Sequence, residues 1–364
     1  MVTEIKFLQV PYSCYVNLTN KCNLRCLHCL GDYTVGSENE LSFDEWKKII
    51  DQLISLKVFY INISGGEPTQ HPEFNKIINY LGYRGLHFIL TTNGVMSDKM
   101  VDSIIDNKEY LIGVKISLDG YDDASHCAIR KTVTNDTNLQ IFHRTIKSIN
   151  AFKNANLPIT IATVIHSENI LHFDKFVDII KDINPISWFI SPIIPSGRGN
   201  TAKNITKNYD YFDKHFWASL VKKCNDAKIN VKLVDLPFNM NEKESIDYYE
   251  CGATISFCEI NADGVVAPCT LCRTCIPEEK IKFDNLRYNS LLEIWQGKTF
   301  TDIRKYMMQG CEGCKAFSKC NKCVAQSFRY FGDGISPTPY CLKNNLNLGI
   351  HKLDYYNKLL NENY

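Results

Sequence analysis

Short apolar, β-branched runs recur along the first 200 residues, at Tyr15–Thr19, Phe59–Ser64, His87–Thr92, Val114–Leu118, Ile159–Ile165 and Ser187–Ile193, and each has the length of a single strand. Between most of them the apolar spacing becomes that of a helix. Ser42-Phe43-Asp44-Glu45 is a capping box that opens onto Trp46, Ile49, Ile50 and Leu53. Pro72 suits the first turn of a helix carrying Phe74, Ile77, Ile78 and Leu81. Further helical stretches cover about Lys99–Asn107, Leu139–Phe152 and Leu171–Asp182. Six strands with intervening helices predict a parallel α/β domain. In such domains the chemistry sits at the C-terminal ends of the strands. Those ends carry Thr19-Asn20, Ser64-Gly65-Gly66-Glu67, Thr91-Thr92-Asn93-Gly94 and Ser117-Leu118-Asp119-Gly120.

The pattern then changes. Pro195-Ser196-Gly197-Arg198-Gly199-Asn200 closes the sixth strand, and a helix at about Asp210–Cys224 and a strand at Asn230–Val234 follow. From about residue 245 short strands, turns and closely spaced cysteines replace the helical crossover rhythm. The expected division is an α/β domain at 1–200, a bridge at 201–245, a cysteine-rich domain at 246–345 and a C-terminal docking helix at 346–364.

Composition narrows the function classes. The chain has 364 residues, 45% hydrophobic and 22% charged, as an ordinary folded protein does. Lys+Arg 41 against Asp+Glu 40 leaves +1, with no basic excess to favour nucleic acid. No apolar run approaches the roughly 18 residues of a membrane span, and Met1-Val2-Thr3-Glu4-Ile5-Lys6 lacks the layout of a signal peptide. A cytoplasmic location is expected. Sixteen cysteines are the anomaly: three lie at 22–29, ten at 251–341, and only Cys14, Cys127 and Cys224 stand apart. Isolated cysteines read as small buried hydrophobes, whereas clustered ones in a reducing compartment read as metal ligands.

Cys22-x3-Cys26-x2-Cys29 follows directly on the first strand. Three thiolates this close can grip one face of a [4Fe–4S] cube, leaving one iron open. The alternative is a zinc knuckle with His28 as fourth ligand. Asn20-Lys21-Cys22-Asn23-Leu24-Arg25-Cys26-Leu27-His28-Cys29 resembles the signature loop of the radical S-adenosylmethionine (SAM) superfamily. That resemblance implies a partial (β/α)6 barrel. It further implies that SAM chelates the fourth iron through its amino and carboxylate groups. One-electron reduction then gives methionine and a 5′-deoxyadenosyl radical. Gly65-Gly66-Glu67-Pro68 resembles the family's Gly-Gly-Glu loop, where Glu67 accepts from the SAM ammonium. Asn93 and Ser117 fall where relatives hold the SAM carboxylate or ribose, and Arg130 matches the arginine that pairs with that carboxylate. Pro195-x-Gly197-Arg198 resembles a common sixth-strand ending.

Cys311-x2-Cys314-x5-Cys320-x2-Cys323, followed by Cys341, resembles the SPASM extension of these enzymes, which carries two auxiliary [4Fe–4S] clusters. Gly264-x4-Cys269 matches its upstream element, although the family usually places three residues, not two, between the last two cysteines of the run. Carried over by position, Cys311, Cys314, Cys320 and Cys341 would hold one cluster, and Cys251, Cys269 and Cys323 would belong to the other. For the latter's fourth ligand, Asp263-Gly264 is a two-residue hairpin signal. Counting outward places Cys258 opposite Cys269, within cross-strand reach. Cys272 and Cys275 remain as rival ligands, or as redox-active or structural thiols, and a pair of zinc sites is the non-iron alternative.

The resemblance implies three [4Fe–4S] clusters, SAM, an electron donor such as flavodoxin or ferredoxin, and hydrogen abstraction from a ribosomally made peptide. The outcome would be a carbon–carbon, carbon–heteroatom or thioether crosslink. The stretch before the first strand is too short for a fused peptide-recognition domain, so a separate leader-recognition protein or the barrel itself would hold a leader. The alternatives are sulfatase-maturase-like oxidation, haem or other cofactor tailoring, and a non-catalytic zinc or iron–sulfur scaffold. Against the first, Pro268-Cys269 is followed by Thr270, where the maturases carry an aspartate base. No residue is identified as the catalytic acid or base.

Overall fold

Alternation along the strands decides which face each side chain takes. The computed structural model describes residues 7–33, 36, 39–133, 140–194, 196–201, 214–234, 251–312, 314 and 322–337. Seven strands, β1 (Ser13–Asn17), β2 (Tyr60–Ser64), β3 (His87–Thr92), β4 (Leu111–Ser117), β5 (Ile159–Val164), β6 (Ser187–Ser191) and β7 (Val231–Leu233), lie parallel in chain order. A hairpin of β8 (Phe257–Ile260) and β9 (Val266–Ala267) continues the sheet beyond β1, giving the order β7-β6-β5-β4-β3-β2-β1-β8-β9. The strand β8 pairs in parallel with β1, Cys14 opposite Cys258 and Tyr15 opposite Glu259. The cysteine-rich region is therefore built onto the barrel's own first strand.

The crossovers are α1 (Phe43–Ser55), α2 (Phe74–Arg84), α3 (Asp98–Asp106), α4 (Asp123–Ile129), α5 (Ile141–Asn154), α6 (Ser167–Leu171), α7 (Phe173–Ile183) and α8 (Lys214–Asp226). The expected capping box forms, Ser42 Oγ accepting from the N–H of Glu45 while the Glu45 carboxylate receives the N–H of Ser42. Trp46, Ile77, Phe152 and Phe176 pack on Cys14, Val16, Ile63, Leu90, Val114 and Ile116 to make the main core. Their strand neighbours Tyr15, Asn17, Asn62, Thr91, Lys115, Ser117 and Glu259 fall by alternation on the opposite, concave face. A polar interior backed by an apolar exterior is the layout of a barrel that takes a ligand inside.

The structure adds two short helices and corrects one turn. The helix expected at about Leu171–Asp182 is α7, and a short α6 that was not expected precedes it across His172. Helix α4, capped by Asp122, has too few apolar residues to show a period. The hairpin turn has three residues, not two: Asn261 N–H bonds Val265 O at 2.9 Å and Gly264 N–H bonds Asn261 O at 2.9 Å. A two-residue type I′ turn requires positive φ at both central positions. Only Gly264 adopts it (φ 84°), while Asp263 accepts from the N–H of Val265 at 3.1 Å. The ladder runs Glu259 to Ala267, so Cys258 is not opposite Cys269.

Beyond the hairpin lie α9 (Thr270–Cys275), α10 (Leu291–Gln296), α11 (Lys298–Met308) and α12 (Val324–Phe331). Lys322 is buried, and its ammonium donates to Tyr306 O at 2.6 Å, Gln309 O at 2.6 Å and Ile335 O at 3.0 Å. Three donors meet three carbonyls, two of them at the C-terminal end of α11, where a cation is favoured. Cys320, Cys341 and the expected C-terminal helix at 346–364 lie outside the described residues.

Candidate active site

The loop carrying Cys22, Cys26 and Cys29 leaves the end of β1 and is held from three sides. From the β2 end, Gly66 N–H bonds Thr19 O and Glu67 N–H bonds Lys21 O, both at 2.8 Å. This approach is so close that a Cβ on Gly66 would sit 2.3 Å from Lys21 O, and one on Gly65 (φ 136°) 2.6 Å from Thr19 O. From the β4 side, Lys131 O and Ile129 O accept from the N–H groups of Arg25 (2.6 Å) and Leu27 (2.8 Å). From the β6 end, Arg198 N–H meets Cys29 O at 3.0 Å and its Nε meets Cys26 O at 2.8 Å. Burial pushes the Cys22 thiol up to about 12 and the Cys26 thiol up to about 11. Thiolates form here only against a cationic partner, as a metal supplies.

Glu67 is buried beneath this loop. Its carboxylate accepts from Thr69 N–H (3.3 Å), Thr69 Oγ1 (2.8 Å), Thr92 Oγ1 (2.9 Å) and Asn93 N–H (2.8 Å). Burial raises its carboxyl even so. The Asn93 side chain donates to Asn23 Oδ1 at 2.8 Å, so it braces the cysteine loop from below. Ser117 ends β4 and is half-buried on the concave face. Arg130 sits beside the triad, Nη1 3.8 Å from Cys26 Sγ and Nε 2.6 Å from Asp119 Oδ2. Burial would raise the Asp119 carboxyl, but Arg130, then His28 and His126, hold it down at about 2. His28, which a zinc knuckle would need, turns Nε2 towards Asp119 at 3.6 Å. Among the described residues no three Cys, His, Asp or Glu side chains surround one point as a single ion requires. A cube-shaped cluster, larger than an ion, takes its thiolates farther apart.

A second polar group joins the two cysteine regions, and sequence reading did not single it out. Asn17 Nδ2 reaches Tyr33 Oη at 3.2 Å and Asn261 Oδ1 at 3.3 Å, and the same amide acts on the Glu259 carboxyl. Tyr33 feels the charges of both Cys29 and Glu259. Thr270, next to Cys269, donates its hydroxyl to Glu259 Oε2 at 2.5 Å, while the buried Oε1 has no hydrogen-bond partner. A polar residue on the concave face between apolar Cys258 and Ile260 was the available signal. Burial raises the Glu259 carboxyl to about 7, against the pull of Thr270 and Asn17. The folded state therefore holds a proton that the unfolded chain releases near pH 4.5. In metal-free protein, stability should fall by roughly 3 kcal/mol as pH rises through that window. Denaturant titrations at stepped pH should show this slope vanish in Glu259→Gln; equal slopes would place the proton elsewhere.

Comparison with known proteins agrees with this geometry. The radical SAM superfamily matches residues 16–180, and the SPASM iron–sulfur cluster-binding domain matches residues 251–324. The chain is a SPASM-containing radical SAM enzyme. It is 27% identical to the AdoMet-dependent heme synthase of Methanosarcina barkeri, over 89% of this chain and 94% of that protein. It is 28% identical to the mycofactocin maturase MftC of Mycobacterium tuberculosis, over 92% of this chain and 84% of that one. The structure of Streptococcus suis SuiB bound to S-adenosylmethionine shares the fold, with a TM-score of 0.74 at 18% identity, over 92% and 78% of the two chains. SuiB is also known bound to its precursor peptide SuiA. The expected α/β partial barrel followed by a SPASM domain is thus established, and with it a requirement for SAM and a [4Fe–4S] cluster. Among the described residues no helix is long and apolar enough to cross a membrane.

Proposed function

We propose that this radical SAM enzyme cleaves SAM reductively and abstracts a hydrogen from a ribosomally made peptide, installing a crosslink. Cys22, Cys26 and Cys29 would hold the SAM cluster. When bound, that cluster supplies the electron that splits SAM into methionine and the 5′-deoxyadenosyl radical. Gly65 and Gly66 bring backbone against the cysteine loop, Glu67 and Asn93 brace it, and Ser117 and Arg130 lie on the SAM side of the barrel mouth. Two auxiliary clusters would sit in the SPASM domain, one on Cys311, Cys314, Cys320 and Cys341, the other including Cys251, Cys269 and Cys323. The observation that supports this reading best is the run from Cys29 through Tyr33, Asn17, Glu259 and Thr270 to Cys269, a series of polar side chains leading from one cysteine region to the other. A substrate radical formed beside that run would have an auxiliary cluster to take up its surplus electron. An external flavodoxin or ferredoxin would supply electrons, and a leader would be held by the barrel or by a separate protein.

Anaerobic reconstitution tests the reading. The chain is expected to take up about twelve irons and to turn over SAM to 5′-deoxyadenosine. Alanine at Cys22, Cys26 and Cys29 should abolish that turnover. Zinc uptake without SAM cleavage would defeat it. The whole-length likeness to a heme synthase favours iron-porphyrin tailoring as the second reading. Co-expression with small open reading frames neighbouring the gene separates the two: a peptide short of a hydrogen pair by mass spectrometry supports the first, and conversion of a porphyrin the second.

A further inference from the structure

We propose that Cys272, rather than Cys258, completes the thiolate set of the auxiliary cluster that includes Cys251, Cys269 and Cys323. The proposal rests on the iron–sulfur reading above and assigns one residue within it.

The turn geometry removes Cys258. With Glu259 paired to Ala267, Cys258 points to the convex side of the sheet, where its Sγ lies 3.7 Å from Cys14 Sγ. It is fully buried in the main core of the barrel. The SPASM thiols Cys269, Cys272 and Cys323 belong instead to a separate cluster of packed side chains. A cluster could not reach Cys258 without breaking the packing between β1 and the helices outside it.

Cys272 is placed oppositely. It lies on α9, three residues after Cys269, and Cys269 packs against the same cluster of buried side chains. The next groups acting on it are Cys323 and Cys251, and Cys323 in turn feels Cys269 and Cys251. The geometry agrees: α9 packs against α12, and Cys269 and Cys323 both lie against the buried cluster that contains Cys272, with Cys251 acting on Cys272 and Cys323 from the head of its own segment. The surroundings are apolar: Ile276, Phe283, Ile303, Met307 and Phe328 share the cluster of buried side chains that contains Cys272. Such a shell shields bound thiolates from water, which suits a buried cofactor. Cys275, one turn further along α9, also acts on Cys323, but its Sγ lies 3.8 Å from Ser196 Oγ and 3.7 Å from Thr274 Oγ1. Those hydroxyls turn it towards the barrel, and it is not the ligand.

Iron and sulfide per chain in the anaerobically reconstituted protein, with electron paramagnetic resonance of the oxidised and reduced states, provide the test. Cys272→Ala is expected to lose about a third of the iron, the content of one cube in three, or to leave a three-iron remnant with its own paramagnetic signal. Cys258→Ala and Cys275→Ala should keep the full complement and the wild-type spectra. Cys272→Ser, which preserves size and fold, should retain the iron with altered spectra, because an alkoxide replaces a thiolate. Full iron and unchanged spectra in both Cys272 variants would overturn the assignment alone. So would iron loss in Cys258→Ala or Cys275→Ala. An iron-free wild-type protein would overturn the parent reading together with this one.

Discussion

Replacing Asp119 by alanine is expected to cost the fold about 3–5 kcal/mol, a large share of the stability of an ordinary domain. The carboxylate is fully buried and serves several partners at once: Arg130 Nε at 2.6 Å, the N–H of Val164 at 2.7 Å, and His28 at 3.6 Å. Its removal leaves the Arg130 guanidinium, only 6% exposed, without a counter-charge beside Cys26. The cost is chiefly that stranded cation, so Asp119→Leu combined with Arg130→Met should recover much of the loss. Denaturant unfolding of the single and double variants measures both. A single variant within about 1 kcal/mol of wild type would show that water or a neighbour relieves the charge. The same pair gives a pH signature. The Asp119 carboxyl is lowered in the folded state from 3.8 to about 2, so its contribution is complete above pH 4 and lost as pH falls through 2.

Gly66→Ala should empty the N-terminal site while sparing the others. The added methyl would meet Lys21 O at 2.3 Å and Asn20 O at 3.0 Å, both backbone atoms of the cysteine loop. No side chain can swing aside to make room, so one loop must move and the Gly66–Thr19 and Glu67–Lys21 hydrogen bonds break. Iron should fall from about twelve to about eight per chain, and SAM cleavage should cease. Retention of the full iron content with normal turnover would show that the loop yields without losing its grip.

Much of this architecture could be read from residues alone, for reasons that differ between its parts. All six expected strands exist because each is a continuous apolar, β-branched run with turn residues at its ends. The order of the loops at their C-terminal ends follows from connectivity, since successive parallel strands return the chain to the same end. What escaped was geometry decided by a single backbone angle or by tertiary pairing. Asp-Gly permits both a two-residue and a three-residue turn, and the choice rests on the φ of Asp263, which local composition does not decide. Asn17, Tyr33 and Glu259 carry no motif, and they meet only because β8 adds to β1 across hundreds of residues of chain. Arg130 illustrates a third kind. The family resemblance alone pointed to it, as a partner of the SAM carboxylate, and its engagement by Asp119 depended on the fold of the β4–α4 turn.

The pairing of β8 with β1 also bears on how the molecule is made. Cys14 and Cys258 are 244 residues apart in sequence. At ribosomal speeds of roughly 5–20 residues per second, the free edge of β1 waits on the order of ten seconds or more for its partner. During that interval its amides and carbonyls can template another chain. A nascent or truncated polypeptide ending before β8 would therefore be sticky along the very strand that leads into the cysteine loop. Iron delivery to that loop would have to contend with a half-finished sheet, and a holdase or slow co-translational docking would benefit this chain more than one whose edge strands close early.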